Sequence, residues 1–308
     1  MILEQSKHII DEVSKVLIGK NEIIEKVLMT IYAGGHILLE DCPGVGKTTL
    51  ALGFSKAINF DYKRIQFTTD TMPSDIVGFT VYNKKTDEFD YRKSSAFCNL
   101  LLADEINRTL PKTQSALLEV MEEKKVTVDG VTHELPKPFI CIATQNPYGS
   151  SGTHPLPESQ LDRFMVKLSI GYPSTNAQIG ILKSHRYYDP LKDVKQVVTK
   201  ESILDIQNYI SSINISDNVL LYITNLCEAT RNEDFVEYGI SPRGVLALSK
   251  MSRARALLKD RNYVVPEDVQ DVFYDVCAHR LILKPQSRIE GIDARHIIDD
   301  VLNKVPVK

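Results

Sequence analysis

The 308-residue sequence lacks several features that would assign it to particular protein classes. No apolar run approaches membrane-spanning length, and the first residues, MILEQSKHIIDEV, have the apolar spacing of an amphipathic helix rather than the apolar core of a signal peptide. No block of five or six like charges occurs, and 37 Lys and Arg residues nearly balance 40 Asp and Glu residues. The sequence therefore predicts a cytoplasmic protein without membrane insertion, and nucleic acid is disfavoured as its main partner.

The sequence also lacks a Cys-X-X-Cys pair, the spacing typical of redox motifs and of many zinc sites. Four of the five cysteines lie in apolar stretches, as small buried side chains do. We therefore expect reduced thiols and no cysteine metal site at the five positions, which are Cys42, Cys98, Cys141, Cys227 and Cys277.

An alternation of strand and helix patterns is present in the first half of the chain. Short apolar runs rich in strand-forming residues alternate with helical periodicity, which is typical of α/β layering around a mostly parallel sheet. The runs that predict core strands are residues 36–40, 64–68, 99–104, 139–144 and 164–170.

From residue 171 onward the pattern is helical. Polar N-cap residues or prolines mark the starts of several helices, at Thr199, Ser216, Ser241-Pro242 and Pro266. We expect an all-α C-terminal domain of roughly four to six helices. The boundary is predicted near 171–175, which gives a core domain of residues 1–172 and a helical domain of residues 173–308.

Two segments of the first domain do not fit this alternation. Residues 125–135 alternate as strands do around Asp129-Gly130, a strong hairpin turn signal. Residues 79–93 have two aromatic and β-branched runs around a polar tip. Both segments are predicted to be hairpins that project from the core, and the pattern alone is equally compatible with ordinary surface hairpins.

The stretch LLEDCPGVGKTTL, residues 38–50, is typical of a phosphate-binding P-loop, although Asp41 stands where the pattern GxxxxGK[ST] has its first glycine. Backbone N–H groups of such a loop and of the following helix face the anion. Gly44 and Gly46 allow the tight turn, Lys47 supplies charge to the outer phosphates, and Thr48 supplies a hydroxyl for Mg²⁺. The predicted nucleotide-binding residues of the loop are Pro43, Gly44, Val45, Gly46, Lys47, Thr48 and Thr49.

Two carboxylates follow the third predicted strand in LLLADEIN. In a nucleotide hydrolase, Asp104 at the strand end would hold the Mg²⁺ shell, and Glu105 would orient and deprotonate the attacking water. Without the P-loop, a strand ending in a solvated acidic turn would be the simpler interpretation. A small-molecule kinase would instead need its base near an acceptor substrate.

Three further polar residues have less specific local signals. Asn146 follows the fourth predicted strand and could contact water and the γ-phosphate, but asparagine before proline is also a common turn starter. Arg163 precedes the fifth strand and could simply pair with Asp162. Arg243 lies in the first turn of a helix, where the dipole disfavours a cation by about 0.3–1 kcal/mol, so an anion outside the helix or a surface ion pair would explain it.

These motifs together resemble the MoxR family of AAA+ ATPases over nearly the whole chain. The resemblance is carried by LLEDCPGVGKTTL, LLLADEINRTLPKTQSALLEVMEE, KVTVDGVTHELPKPFICIATQNP, GTHPLPESQLDRF and SPRG. It implies a RecA-like αβα core with sheet order 5-1-4-3-2, a small helical lid, and ATP with Mg²⁺ held between the two. His154 stands where the family commonly has tyrosine.

The resemblance also implies roles for single residues. Asn146 resembles sensor 1, Arg163 the arginine finger that reaches a neighbouring subunit's γ-phosphate, and Arg243 sensor 2 on the lid. Ile18 and Gly19 match the family's N-terminal nucleotide-binding segment. A finger supplied by a neighbour makes hydrolysis conditional on assembly, so a homo-oligomeric ring, most often a hexamer, is implied.

The function implied is that of an ATP-driven, chaperone-like remodeller of protein complexes, often with a von Willebrand factor A-domain partner. The hairpins at 79–93 and 125–135 match the family's helix-2 insert and pre-sensor-1 hairpin, which would face the ring centre. Two alternatives stay open, a DNA-directed motor and a nucleotide-dependent binding switch with little turnover. The motor needs basic hairpins, but acidic residues nearly cancel the lysines and arginines there.

Overall fold

Five parallel strands form the central sheet of the structure, a computed structural model that describes residues 2–147, 153–184 and 188–307. Across the sheet they are β2 (Tyr62–Gln66), β5 (Leu100–Asp104), β8 (Ile140–Gln145), β1 (Ile37–Glu40) and β9 (Val166–Leu168). All four neighbouring pairs are parallel. This confirms the predicted order 5-1-4-3-2, and the inner strands are apolar on both faces because both faces are covered.

The helices of the first half cover the two faces of this sheet. They are α1 (Ile2–Ser14), α2 (Asn21–Tyr32), α3 (Lys47–Ile58), α4 (Pro73–Val77), α5 (Pro111–Glu123) and α6 (Glu158–Leu161). Buried side chains of α1, α2 and α3 pack with Ile37 and Leu39 on one face. Those of α4 and α5 pack with Leu38 and Leu101 on the other, which gives three layers.

Two antiparallel hairpins project from these layers. They are formed by β3 (Phe79–Asn83) with β4 (Glu88–Arg92), and by β6 (Lys125–Val128) with β7 (Val131–Glu134). Asp129 and Gly130 both have positive φ in the tight turn of the second hairpin. The rings of Tyr91 and His133 stack with centroids 4.0 Å apart, so the two hairpins contact each other.

The C-terminal part is helical, and its described residues form α7 (Thr175–Ser184), α8 (Lys200–Ser212), α9 (Asp217–Arg231), α10 (Pro242–Leu258), α11 (Pro266–Cys277), α12 (Pro285–Ile289) and α13 (Ala294–Lys304). Thr199, Ser216 and Ser241 cap α8, α9 and α10 as the sequence predicts. The count of seven exceeds the predicted four to six. A small sheet of β10 (Val236–Tyr238) and β11 (Ile282–Leu283) was not predicted.

The apolar core continues from the sheet into the C-terminal helices. Buried side chains of α2 and α3 belong to the same cluster as those of α8, α10 and α11. A division at residues 172/173 is therefore not marked by two separate cores, and it stays a prediction. Within the described residues, no helix has both the length and the apolar character needed to cross a bilayer. All five cysteines are free thiols, and only Cys42 is not fully buried.

His36 is buried just before β1, where only the neutral imidazole ring has hydrogen-bond partners for both of its nitrogens. One ring nitrogen, Nδ1, accepts the backbone N–H of Cys141 at 3.0 Å, which leaves Nε2 to donate to the carbonyl of Met121 at 2.9 Å. Burial lowers the pKa of His36 to about 4 from its usual 6.5. Protonation of His36 therefore opposes folding.

We predict that His36 makes the protein less stable in mild acid. Because its pKa is lower in the folded than in the unfolded chain, the unfolded chain binds more protons as the pH falls from about 6.5 towards 4, so stability is lost in that window. Between pH 7 and pH 5 the wild type should lose about 2 kcal/mol more of unfolding free energy than His36→Gln. Urea unfolding at both pH values measures this difference, and parallel losses in the two proteins would contradict it.

Candidate active site

The loop between β1 and α3 has the conformation of an anion-binding loop. Gly44 and Gly46 have φ of +84° and +101°, which glycine adopts without strain, and Gly46 is the N-cap of α3. A Cβ at Gly46 would lie 2.9 Å from Leu17 Cδ1, so a side chain there would require the Leu17 side chain to shift. The ammonium of Lys47 donates to the carbonyls of Asp41 at 2.7 Å and Cys42 at 3.3 Å. The free backbone N–H groups at the start of α3 can receive a phosphate.

Asp104 ends β5 beside this loop and is nearly buried. The hydroxyl of Thr144 on β8 donates to its Oδ1 at 2.6 Å. Arg64 on β2 donates to its Oδ2 through Nη2 at 2.6 Å and Nε at 3.2 Å. This hydrogen bond to the Asp104 carboxylate raises the pKa of Arg64. Both oxygens of Asp104 are thus held by neighbouring strands.

Glu105 leaves the strand through an unusual backbone conformation, with φ of +58°. Its backbone N–H donates to Thr144 Oγ1 at 2.9 Å, so one hydroxyl positions both carboxylate residues. Its Oε2 accepts from Gln66 Nε2 at 2.8 Å and pairs with Arg108 Nε at 3.1 Å. One oxygen of the candidate base is therefore held by two side chains, and the described contacts leave Oε1 to face water.

These residues line one cleft with a volume of about 370 Å³, formed by Pro43, Gly44, Gly46, Lys47, Thr48, Thr49, Arg64, Gln66, Asp104, Glu105 and Asn146. Val45 is the exception among the predicted loop residues, because it packs against the apolar core. The backbone carbonyl of Asn146 accepts from Asn107 Nδ2 at 3.2 Å. Thr48 and Asp104 supply the oxygen ligands that Mg²⁺ prefers, so the cleft suits a magnesium nucleotide.

Arg64 and Gln66 were not predicted from the sequence. The available signal was the alternation of polar and apolar residues in the predicted strand 64–68, which places both side chains on one face. Their contacts with Asp104 and Glu105 depend on the pairing of β2 with β5, in which Gln66 lies opposite Asp104.

Ile18 and Gly19 do not line the phosphate-loop cleft. A Cβ at Gly19 would lie 3.0 Å from Ala177 Cβ, and one at Gly180 would lie 3.3 Å from Ile18 Cγ2, so this segment packs against α7. Gly19 borders a separate cavity of about 690 Å³ that also includes residues of α2, β9 and α11. Its contact with a nucleotide stays a prediction.

Arg163 does not form the simple ion pair with Asp162 that the sequence left open. Its Nη1 donates to the carbonyl of Leu118 at 2.9 Å. The Asp162 carboxylate instead accepts from Arg280 Nε at 2.8 Å and from Ser241 Oγ at 3.0 Å. Arg163 is thus left facing a second cleft, of about 240 Å³, away from the phosphate loop.

Arg243 borders the same second cleft, and its Nη2 pairs with Glu122 Oε1 at 2.7 Å. The described residues place it with Arg163 rather than with Lys47, and its contact with a nucleotide stays a prediction. The cause is the way α10 packs. Ser241 caps α10 and also donates to Asp162, which ties the helix that carries Arg243 to the loop that carries Arg163.

Buried Arg280 strengthens this connection between the two arginines. Besides Asp162, its guanidinium donates to the carbonyls of Phe164 at 2.6 Å and Met165 at 3.2 Å. The last residues before β9 are thus held by a C-terminal side chain. Arg163 and Arg243 project from one connected surface.

Comparison with known proteins agrees with this geometry. Residues 36–166 match the ATPase family associated with various cellular activities (AAA), and residues 228–301 match the AAA lid domain. The chain is 37% identical to Chaperone MoxR1 of Mycobacterium tuberculosis, over 96% of this chain and 80% of that protein. The chain belongs to the MoxR family of AAA+ ATPases.

Two other relatives support this placement in the MoxR family. The protein YeaC of Bacillus subtilis is 45% identical, over 97% of this chain and 94% of its own length. A solved structure from Cytophaga hutchinsonii, assigned there as an ATPase, superposes with a TM-score of 0.91 at 39% identity, covering 99% of this chain and 96% of that one. The likeness therefore includes both the α/β core and the helical lid.

We predict that Arg64 competes with Mg²⁺ for Asp104 in this MoxR-family protein. Because the guanidinium occupies Asp104 Oδ2, Arg64→Gln should lower the Mg²⁺ concentration for half-maximal binding of fluorescent ATP by about three- to tenfold. Arg108→Gln is the matched control, since Arg108 pairs with Glu105 instead. An equal or higher Mg²⁺ requirement in Arg64→Gln would contradict the prediction.

Proposed function

We propose that the protein binds Mg·ATP in the phosphate-loop cleft and hydrolyses it to ADP and phosphate. The observation that carries this proposal is that Lys47, Asp104, Glu105 and Asn146 converge on one cleft at the carboxyl ends of adjacent parallel strands. In a kinase, the base would have to lie near an acceptor substrate. Here the Glu105 carboxylate directly follows the metal aspartate in the chain, as a water-activating base would.

The roles follow from the chemistry of each side chain. Lys47 and the N–H groups of the loop bind the outer phosphates, while Thr48 and Asp104 would hold Mg²⁺, which would neutralise phosphate charge. Glu105 takes a proton from the attacking water through Oε1, while Gln66 and Arg108 hold its other oxygen. Asn146 orients the water and the γ-phosphate.

The second cleft supports assembly of several copies. Arg163 and Arg243 lie together, apart from the phosphate loop of their own chain. We propose that both arginines stabilise the γ-phosphate in a neighbouring subunit, within a homo-oligomeric ring such as a hexamer. Glu122, which now pairs with Arg243, would be exchanged for phosphate.

We further propose that the ring acts in the cytoplasm as a chaperone-like remodeller of a protein client, such as a von Willebrand factor A-domain protein. The hairpins that would face the client expose apolar side chains. Phe89 is 73% exposed, and Phe79 and Val131 are also exposed. Exposed apolar side chains on the hairpins favour a protein client over nucleic acid, which would need a net basic surface.

We predict that Glu105→Gln retains Mg·ATP binding but loses turnover by at least about a hundredfold, because the amide cannot accept the proton of the attacking water. Fluorescent-nucleotide titration and phosphate release measure the two properties. Glu228→Gln, an exposed change on α9, is the matched control and should leave both unchanged. Normal phosphate release by Glu105→Gln would rule out the assigned base.

Mixing variant subunits tests whether the arginines act between chains. Arg163→Ala or Arg243→Ala subunits should each regain part of their hydrolysis when mixed with Lys47→Ala subunits, because the inactive loop and the missing arginine then lie on different chains. Assembly of the mixtures is checked by light scattering.

The decisive mixture combines Arg163→Ala with Arg243→Ala. If both arginines come from the same neighbour, no interface has the complete pair, so this mixture should stay inactive. Restored hydrolysis there would show that Arg243 serves its own chain. No restoration in the mixtures with Lys47→Ala, despite assembly, would count against the finger.

A further inference from the structure

Asp41 stands where the P-loop pattern has glycine, but its backbone does not need glycine. The described non-glycine residues with positive φ do not include Asp41. Its side chain is only 6% exposed. Burying a carboxylate destabilises the folded chain unless hydrogen-bond donors satisfy it, so the burial of Asp41 needs an explanation.

Three donors from one segment satisfy this carboxylate. Oδ1 accepts from Ser169 Oγ at 2.7 Å and from the backbone N–H of Gly171 at 3.0 Å. Oδ2 accepts the backbone N–H of Ile170 at 2.6 Å. Charge-assisted bonds to backbone N–H groups fix the path of the chain as well as the side chain.

Residues 169–172 connect the end of β9 to α7, the first helix of the C-terminal part. The ammonium of Lys20 holds the same segment from another side, donating to the carbonyls of Ile170 and Tyr172. Lys20 directly follows Ile18 and Gly19, which pack on α7. The segment is therefore held between the phosphate loop and the N-terminal segment.

Asp41 also contacts the phosphate-binding lysine. The ammonium of Lys47 donates to the Asp41 carbonyl at 2.7 Å. Phosphate binding would draw this ammonium towards the outer phosphates and away from the carbonyl. Asp41 thus accepts a hydrogen bond from Lys47 through its main-chain carbonyl. Through its side chain it accepts hydrogen bonds from the segment that leads into α7.

We propose that Asp41 is a positioning residue that couples nucleotide occupancy of the phosphate loop to residues 169–172. The inference rests on the proposed nucleotide function. It goes beyond that function because it gives Asp41, the residue that departs from the P-loop pattern, a role in communicating nucleotide binding to residues 169–172. A glycine at this position would leave the three donors without their acceptor.

Hydrogen exchange measured by mass spectrometry tests the coupling in the full chain, with and without the Mg²⁺ complex of the non-hydrolysable analogue AMP-PNP. In the wild type, the analogue should slow exchange in peptides that cover 43–49 and also in those that cover 169–172, the latter by about tenfold. In Asp41→Asn, an amide N–H₂ group faces backbone donors, so the response at 169–172 should fall below about twofold.

The affinity for the analogue provides a second measurement. A purely structural role of Asp41 would not make the loss of affinity match the loss of the exchange response. At saturating analogue, the peptides that cover 43–49 in Asp41→Asn should still be protected, since Lys47 and Thr48 are intact. Coupling is reciprocal, so the affinity should fall by the same factor as the response at 169–172. Ser169→Ala removes one of three donors and should show a smaller loss of both, and Glu228→Gln, an exposed change on α9, should change neither.

The outcomes separate this proposal from the proposed function. Loop protection in the wild type without any response at 169–172 would overturn the coupling and leave nucleotide binding intact, as would an unchanged response in Asp41→Asn. Absence of loop protection in the wild type at any analogue concentration would overturn both. If Asp41→Asn does not fold, Ser169→Ala decides, and an unchanged response in that variant counts against the coupling.

Discussion

The position of β1 between β8 and β9 is the constraint on which the rest of the structure depends. Its apolar residues are buried on both faces, so the strand cannot shift its register without exposing part of the core. The phosphate loop leaves β1 beside Asn146, which follows β8, and beside the chain that leaves β9. The phosphate loop, the polar side chains that follow the neighbouring strands and the connection to the lid therefore meet at the carboxyl ends of the strands.

Several charged side chains of the two clefts already have hydrogen-bond or ion-pair partners within the chain. Lys47 donates to carbonyls, Glu105 is held by Gln66 and Arg108, and Arg243 pairs with Glu122. Binding of a nucleotide would thus exchange partners rather than satisfy free charges. The net free energy of such an exchange is a small difference between desolvation costs and new contacts.

The features that were predictable from the sequence are those determined by local physics. Buried strands appear as apolar runs, and Thr199, Ser216 and Ser241 cap helices through their own side chains. The cleft that holds Arg243 was not predictable, because it depends on how α10 packs through Ser241 and Arg280. Contacts of Arg64 and Gln66 depend on the register of β2 against β5, in which Gln66 lies opposite Asp104, and α12 is too short to show a period.

The stacked rings of Tyr91 and His133 have a mechanical consequence. A force applied to the β3–β4 hairpin would be shared with the β6–β7 hairpin, because the two stacked rings connect them. The first hairpin is followed in the chain by β5, and the second directly follows α5. Tension on either hairpin would therefore reach the sheet both through the strand that carries Asp104 and through α5, which packs on one face of the sheet.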